Sequence, residues 1–246
     1  MDIKYYCVEA DEVNIPSIAR YQRQLATVMH KQRNINFSSY IIVVLLCFLC
    51  LLFNYFTINK EDYWADEIVS YNIARLSSLW EIREYLKSEL YPVGYYVFLH
   101  YLCKIAEPIG IDLRWFSTFW GIAGLIGLYF WMSLTRQSFS DGARRSFSKS
   151  VAVIAALFLC INPFWLYYCR EMRNYTMQSA LLWWSAGILV LASQKNKKVL
   201  WILSAILSTM AYLTHYFALF FVISEIAALI IVIRVQKKKE LLNGLK

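Results

Sequence analysis

Charge is scarce in this chain. Asp, Glu, Lys and Arg make up 17% of its 246 residues, against about 25% in an ordinary soluble protein. Only 8 Gly and 4 Pro interrupt it, while 59% of the residues are hydrophobic and 17% aromatic. That balance excludes a soluble globular domain, a disordered chain and a nucleic-acid-binding module. Cysteine gives no legible disulfide framework. Cys47 and Cys50 form a C-x-x-C, but inside the apolar run 41–53. A thiol there behaves as a small hydrophobe, and no second pair follows to complete a metal site. No apolar core lies near Met1, so no cleavable signal peptide is expected. No repeat or low-complexity tract is visible.

What is present is a series of long apolar runs. The first, 38–58, is long enough to cross a bilayer. Others follow at 113–134, 150–168, 175–192, 199–215 and 217–235. The expected architecture is an all-α polytopic membrane protein with about six transmembrane helices. The segment 91–107 is apolar but short and carries His100 and Lys104. Charge asymmetry decides how to place it. The chain carries a formal charge of +8. If 91–107 does not cross, the N-terminus and the basic stretches 136–149, 195–198 and 234–246 all fall on one side. That side then holds 17 of the 25 Lys and Arg, as the positive-inside bias favours. The segment therefore reads as an interfacial or re-entrant helix on the outer side. Residues 1–37 form a cytoplasmic extension, 38–235 the membrane module and 236–246 a basic cytoplasmic tail. Both termini are expected in the cytoplasm of a multi-pass protein, of a bacterial inner or plasma membrane rather than of the ER.

The outer face has its own composition. Residues 59–90 carry seven acids against four bases and read as two short helices lying on the membrane. Asp66-Glu67 stands just past the first span, where an acid pair could act as general base or hold a divalent cation; Glu67, Tyr71 and Arg75 share a face, so a simple ion pair with Arg75 is the alternative. Residues 167–175 bring Arg170, Glu171, Arg173 and Tyr175 to the same side. Ionisable groups at a membrane boundary are costly unless paired or used, and the two arginines could grip a phosphate. Arg114 and His215 stand at the outer ends of their spans. Tyr96, His100 and Lys104 share one face of the short outer helix and suit either headgroups or a lipid-phosphate pocket. Glu225 is an acid in mid-span with no evident partner. Such a set fits an anionic lipid headgroup with a polar acceptor. Composition alone leaves a transferase, a lipid-binding scaffold and a small transporter open.

The order of the motifs says more. Asp66-Glu67-Ile68-Val69-Ser70-Tyr71-Asn72-Ile73-Ala74-Arg75 resembles the acidic motif of GT-C glycosyltransferases, the polyprenyl-phosphate-sugar-dependent membrane enzymes that include protein O-mannosyltransferases and lipid A aminoarabinose transferases. Tyr91-Pro92-Val93-Gly94-Tyr95-Tyr96-Val97-Phe98-Leu99-His100 is similar to their HPP-L-Y-Y segment, with Tyr91 and Val93 in place of the His and second Pro. Leu113-Arg114-Trp115-Phe116-Ser117 resembles L-R-x-x-S. The stretch from Asn162-Pro163-Phe164 to Arg170-Glu171-Met172-Arg173-Asn174-Tyr175 resembles S-P-F…Y-x-x-E-x-R-x-Y, and Leu213-Thr214-His215-Tyr216-Phe217-Ala218-Leu219 resembles x-T-H-Y-x-A-L. The likeness is to the dolichyl-phosphate-mannose-protein mannosyltransferase superfamily.

That resemblance implies an inverting transfer of a sugar from a polyprenyl phosphate to a hydroxyl of a glycan, lipid or protein on the outer face. It implies Asp66, with Glu67 and Glu171, as catalytic acids. Asp66 would be a base or, with Glu171, a ligand of Mg or Mn. It implies Arg114, Arg170, Arg173, Tyr175, His215, His100 and Lys104 about the lipid phosphate and substrate. It further implies that the chain corresponds to the N-terminal half of such an enzyme. The alternatives are a non-catalytic relative that binds polyprenyl phosphate and a half-enzyme whose partner chain supplies the C-terminal half.

Overall fold

The structure is a computed structural model that describes residues 38–89, 91–137 and 144–243. The extension 1–37, the middle of the basic stretch 136–149 and the end of the basic tail lie outside the described residues. Helices alone, without strands, account for the regular structure among the described residues. In chain order they are α1 (Ser38–Thr57), α2 (Ala65–Ala74), α3 (Leu79–Glu89), α4 (Val93–Ala106), α5 (Arg114–Gln137), α6 (Arg144–Cys160), α7 (Pro163–Tyr168), α8 (Tyr175–Lys195), α9 (Lys198–Thr214) and α10 (Ala218–Asn243).

Three of these, α1, α5 and α8, are long and apolar enough to cross a membrane unaided. Three shorter apolar helices of 10–17 residues, Lys149–Cys160, Lys198–Thr214 and Ala218–Ile231, occupy the other segments expected to span. Of the six expected spans, three are thus helices of spanning length and three are shorter apolar helices. The expected span 150–168 is broken by its own sequence. Asn162 caps α7, its side-chain oxygen accepting the N–H groups of Phe164 (2.9 Å) and Trp165 (3.2 Å), and Pro163 takes the first helical position. An Asn cap followed by Pro starts a new helix and ends the old one.

The long helices form a bundle with α8 at its centre, packed chiefly against α5 and α9. Burial of α8 reaches 56% against 22% for α1, whose Val44, Leu45, Phe48 and Leu49 stay exposed as a lipid-facing surface requires. Val43, Leu46 and Cys50 of α1 pack on Ala152, Ala156 and Cys160 of α6 and on Leu125 and Tyr129 of α5. The thiols of Cys47 and Cys50 are free, in keeping with a packing role.

At one end of the bundle sits a cap made of α2, α3 and α4. Its core joins Ile73, Ile82, Leu86, Tyr95 and Leu99 to Met172, Met177, Leu181, Ala211 and Ala218 at the ends of the long helices. The segment 91–107, expected to be an interfacial or re-entrant helix, is α4 with a single 3-10 turn after it. Gly94 lets α4 touch α9: a Cβ there would stand 2.6 Å from the carbonyl oxygen of Leu213.

Candidate active site

The cap end of the bundle is fastened by one ion pair. Glu67 stands in the first turn of α2, where an acid complements the helix N-terminus. It is fully buried, and Arg114, at the start of α5, is nearly so. The Arg114 Nε donates to Glu67 Oε1 (2.9 Å) and Nη2 to Oε2 (2.6 Å), the bidentate geometry that suits guanidinium and carboxylate. The remaining N–H groups go to the carbonyls of Ile58 (2.8 Å), Glu61 (2.7 Å) and Asp62 (3.0 Å). All five donors of the guanidinium are used. Glu67 Oε1 also accepts the N–H of Met172 at 2.8 Å, and the Tyr63 ring lies 4.6 Å from the guanidinium carbon. Four chain segments meet here: the end of α1, α2, the start of α5 and the loop before α8. The pair is a latch, and neither partner has hydrogen-bonding capacity facing a ligand.

Asp66, the adjacent acid, points elsewhere. Its carboxylate is half exposed and lies 3.3 Å from the Arg173 Nη1, whose own side chain is 13% exposed. Arg173 also stacks over Tyr175 at 5.7 Å. The Tyr175 ring touches Tyr168 (4.6 Å) on one side and His215 (6.2 Å) on the other. Asn174 donates to the Thr214 carbonyl at 2.9 Å and so holds this loop against the end of α9. His215 Nδ1 accepts the N–H of Phe217 at 3.1 Å, which fits a neutral ring. Burial and the positive Arg173 hold its pKa below the ordinary histidine value. Asp66, Arg173, Tyr175 and His215 thus form one polar group drawn from α2, the 169–174 loop and the two helices that follow it.

A second polar space, of about 100 Å3, opens beside the latch. Glu61, Asp62, Trp64, Tyr167, Arg170 and Glu171 line it with the latch pair. Glu171 is 4% exposed, and both its carboxylate oxygens are buried without a hydrogen bond among the described residues. Burial pushes this carboxyl above the ordinary glutamate value, while the neighbouring Tyr167 phenol and Arg173 pull the other way. Arg170 faces Glu61 at 4.0 Å and the Phe53 and Tyr167 rings. Arg170 and Arg173, expected to grip one phosphate together, face different acids, Glu61 and Asp66.

Other expected site residues are placed apart. His100 is buried, with Nδ1 donating to the Ala74 carbonyl at 2.7 Å, which pins α4 to the end of α2. Lys104 is exposed beside the Tyr101 ring and does not join His100. Arg75, a possible partner of Glu67 in sequence, pairs with Glu107 at 3.4 Å, which also accepts the Tyr71 hydroxyl at 2.5 Å. Among the described residues no three His, Cys, Asp or Glu side chains gather to hold a metal ion. The pair Asp66 and Glu171 lacks a third ligand, and Asp66 already faces a guanidinium. The donor set does not fit a protein-held cation.

The sequence drew attention to the stretch 167–175 without giving Tyr167 or Asn174 a role of its own, and it gave no signal for Tyr63. The partners of Tyr63 and Asn174, Asp112 and Thr214, are distant in sequence.

A family model described as dolichyl-phosphate-mannose-protein mannosyltransferase matches residues 92–245. The chain belongs to this family. It is accordingly a glycosyltransferase-family integral membrane protein, of a family that uses polyprenyl-phosphate sugar donors. The matched region carries Arg114, Arg173, Tyr175 and His215, while Asp66 and Glu67 precede it. No curated protein and no solved structure matches significantly.

Proposed function

We propose that the chain transfers a sugar, with inversion, from a polyprenyl phosphate to a hydroxyl acceptor at the cap end of the bundle, which faces outward. The observation that carries this reading is the Asp66–Arg173 pair: a half-exposed carboxylate and a largely buried guanidinium, 3.3 Å apart, at the level where the long helices end.

The chemistry divides between them. Asp66 takes the proton of the acceptor hydroxyl as its oxygen bonds to the sugar's anomeric carbon. The bond from that carbon to the phosphate oxygen breaks, and the phosphate leaves on its lipid with the electron pair. Arg173 lies where negative charge grows on the departing phosphate, a fixed cation that needs no reorganisation. Tyr175 and neutral His215 complete the wall beside it. Glu67 and Arg114 act by holding Asp66 and the Met172–Arg173 backbone in register, not by touching substrate. Glu171 keeps a proton more readily than a surface glutamate and borders the acceptor side.

The test is transfer from polyprenyl-phosphate hexose and pentose donors by the purified chain, with membrane extract as acceptor. Asp66→Asn should reduce turnover by about 100-fold or more while leaving donor binding and thermal stability unchanged. Undiminished transfer by that variant would remove Asp66 from the reaction.

A further inference from the structure

Two helical turns below the cap end, the bundle carries a polar chain that the transfer reaction does not use. Ser185 of α8 hydrogen-bonds Ser204 (3.1 Å) and Ser208 (2.6 Å) of α9. Ser208 in turn donates to Glu225 Oε2 of α10 at 3.3 Å. The other oxygen, Glu225 Oε1, is buried with no hydrogen bond among the described residues. Glu225 lies seven residues into α10 and Ser208 six before the end of α9, each about 10 Å below the cap at 1.5 Å per residue.

Glu225 borders a groove of about 440 Å3 between α8, α9 and α10. Its α9 wall is Trp201, Ser204, Ala205, Ser208, Thr209 and Tyr212, the residues of one helical face. Its α10 wall is Leu219, Val222, Ile226 and Leu229, spaced three–four–three. These are the rows with which helices meet helices. The α9 wall is also small in its middle, Ser204 to Ser208 and Ala205 to Thr209, which permits close backbone approach in a membrane.

A bare carboxyl oxygen at this depth is costly unless a donor reaches it. The basic residues described on α8, α9 and α10 do not. Lys195, Lys197 and Lys198 sit at the opposite helix ends, and Arg234 is nine residues beyond Glu225. A lipid chain would fill the groove yet leave Oε1 unpaired. We propose that the groove docks a transmembrane helix of a partner protein, which presents an amide or basic side chain to Glu225 about 10 Å below its outer end.

The full chain in lipid nanodiscs would be titrated, by energy transfer, with labelled poly-Leu transmembrane peptides. One carries a single Asn seven residues from its outer end, and the other carries Leu there. The Asn peptide should bind wild type at least about five-fold tighter, the range of interhelical hydrogen bonds in bilayers. Glu225→Leu should erase that margin. So should Ala205→Phe, which fills the groove and leaves the carboxyl in place, and which keeps the test alive should the first variant not fold. Equal binding of both peptides would overturn the proposal, as would a margin that survives Ala205→Phe. Polyprenol excluding both peptides would assign the groove to a hydrocarbon chain instead. Self-association of the chain that is lost in Glu225→Leu, without peptide preference, would assign it to a second copy.

Discussion

Two neighbouring acids, Asp66 and Glu67, carry opposite roles because one residue turns a helical side chain by about 100°. Glu67 faces inward to Arg114 and Met172, and Asp66 faces outward to Arg173. They should therefore fail differently. Glu67→Gln leaves a buried guanidinium without its counter-charge and should cost about 3–5 kcal/mol of stability, read as a fall in thermal midpoint in detergent, whereas Asp66→Asn should leave that midpoint in place. Glu171 gives a pH test. Its carboxyl holds a proton more tightly in the folded chain than in the unfolded one. The stability tied to that proton is complete below the ordinary value of 4.5 and is lost as pH climbs through the raised value. Glu171→Gln should therefore gain on wild type as pH rises above 4.5, by at most about 1.4 kcal/mol for each tenfold fall in proton concentration. A gap that stays constant with pH would mean the carboxyl is not protonated in the folded state. The sequence singled out Asp66, Glu67, Arg114, Glu171, Arg173 and His215. It could not tell base from latch, because Arg114 stands 47 residues from Glu67 and Met172 stands 105. His100 was drawn toward the lipid phosphate by its helical face, yet the free Ala74 carbonyl at the end of α2 claims it.

The elements owe their positions to a few close contacts. Gly94 is the one that brings the cap onto the bundle, since a methyl there meets the backbone of Leu213, which cannot yield as a flexible side chain can. Gly94→Ala should cost about 1–3 kcal/mol through the shift it forces and should weaken transfer by moving α4 and, through His100, the end of α2. An unchanged thermal midpoint in that variant would show that α4 and α9 can move apart without cost. Periodicity and apolar length were enough to foresee the short helix now called α4, the two helices of the acidic loop and the long α5 and α8. They were not enough to foresee the break at Asn162-Pro163. Both flanks of that break are apolar, so hydropathy ran through it, while the cap chemistry of the two residues was the local signal.

At the scale of the whole molecule, charge sorts the two ends. Acids and the working arginines crowd the cap, and Lys195, Lys197 and Lys198 mark the opposite end of α8 and α9. The proposed orientation puts the cap outside. A membrane-impermeant maleimide applied to intact cells should then label Ser88→Cys, on the exposed face of α3, and spare Lys197→Cys, with the wild-type chain as blank because its described cysteines are largely buried. Labelling in the reverse pattern would invert the topology and take the site to the cytoplasmic side. Glu225 shows where whole-molecule knowledge was needed. In sequence it is a solitary acid in a greasy helix, and only the juxtaposition of α8, α9 and α10 reveals its serine partners and its unanswered oxygen.

The latch also has a history within each molecule's synthesis. Glu67 leaves the ribosome long before Met172, 105 residues later, which at about 5–20 residues per second is several seconds or more. Through that interval the nascent chain has a carboxylate whose burial site does not yet exist. The cap cannot close until the chain through α5, α6 and α7 has been made and Met172 is in place. Closure is thus a late event in synthesis. A chain stalled before Met172 keeps Glu67 without one of its hydrogen-bond donors and the cap without the contacts that Met172 makes.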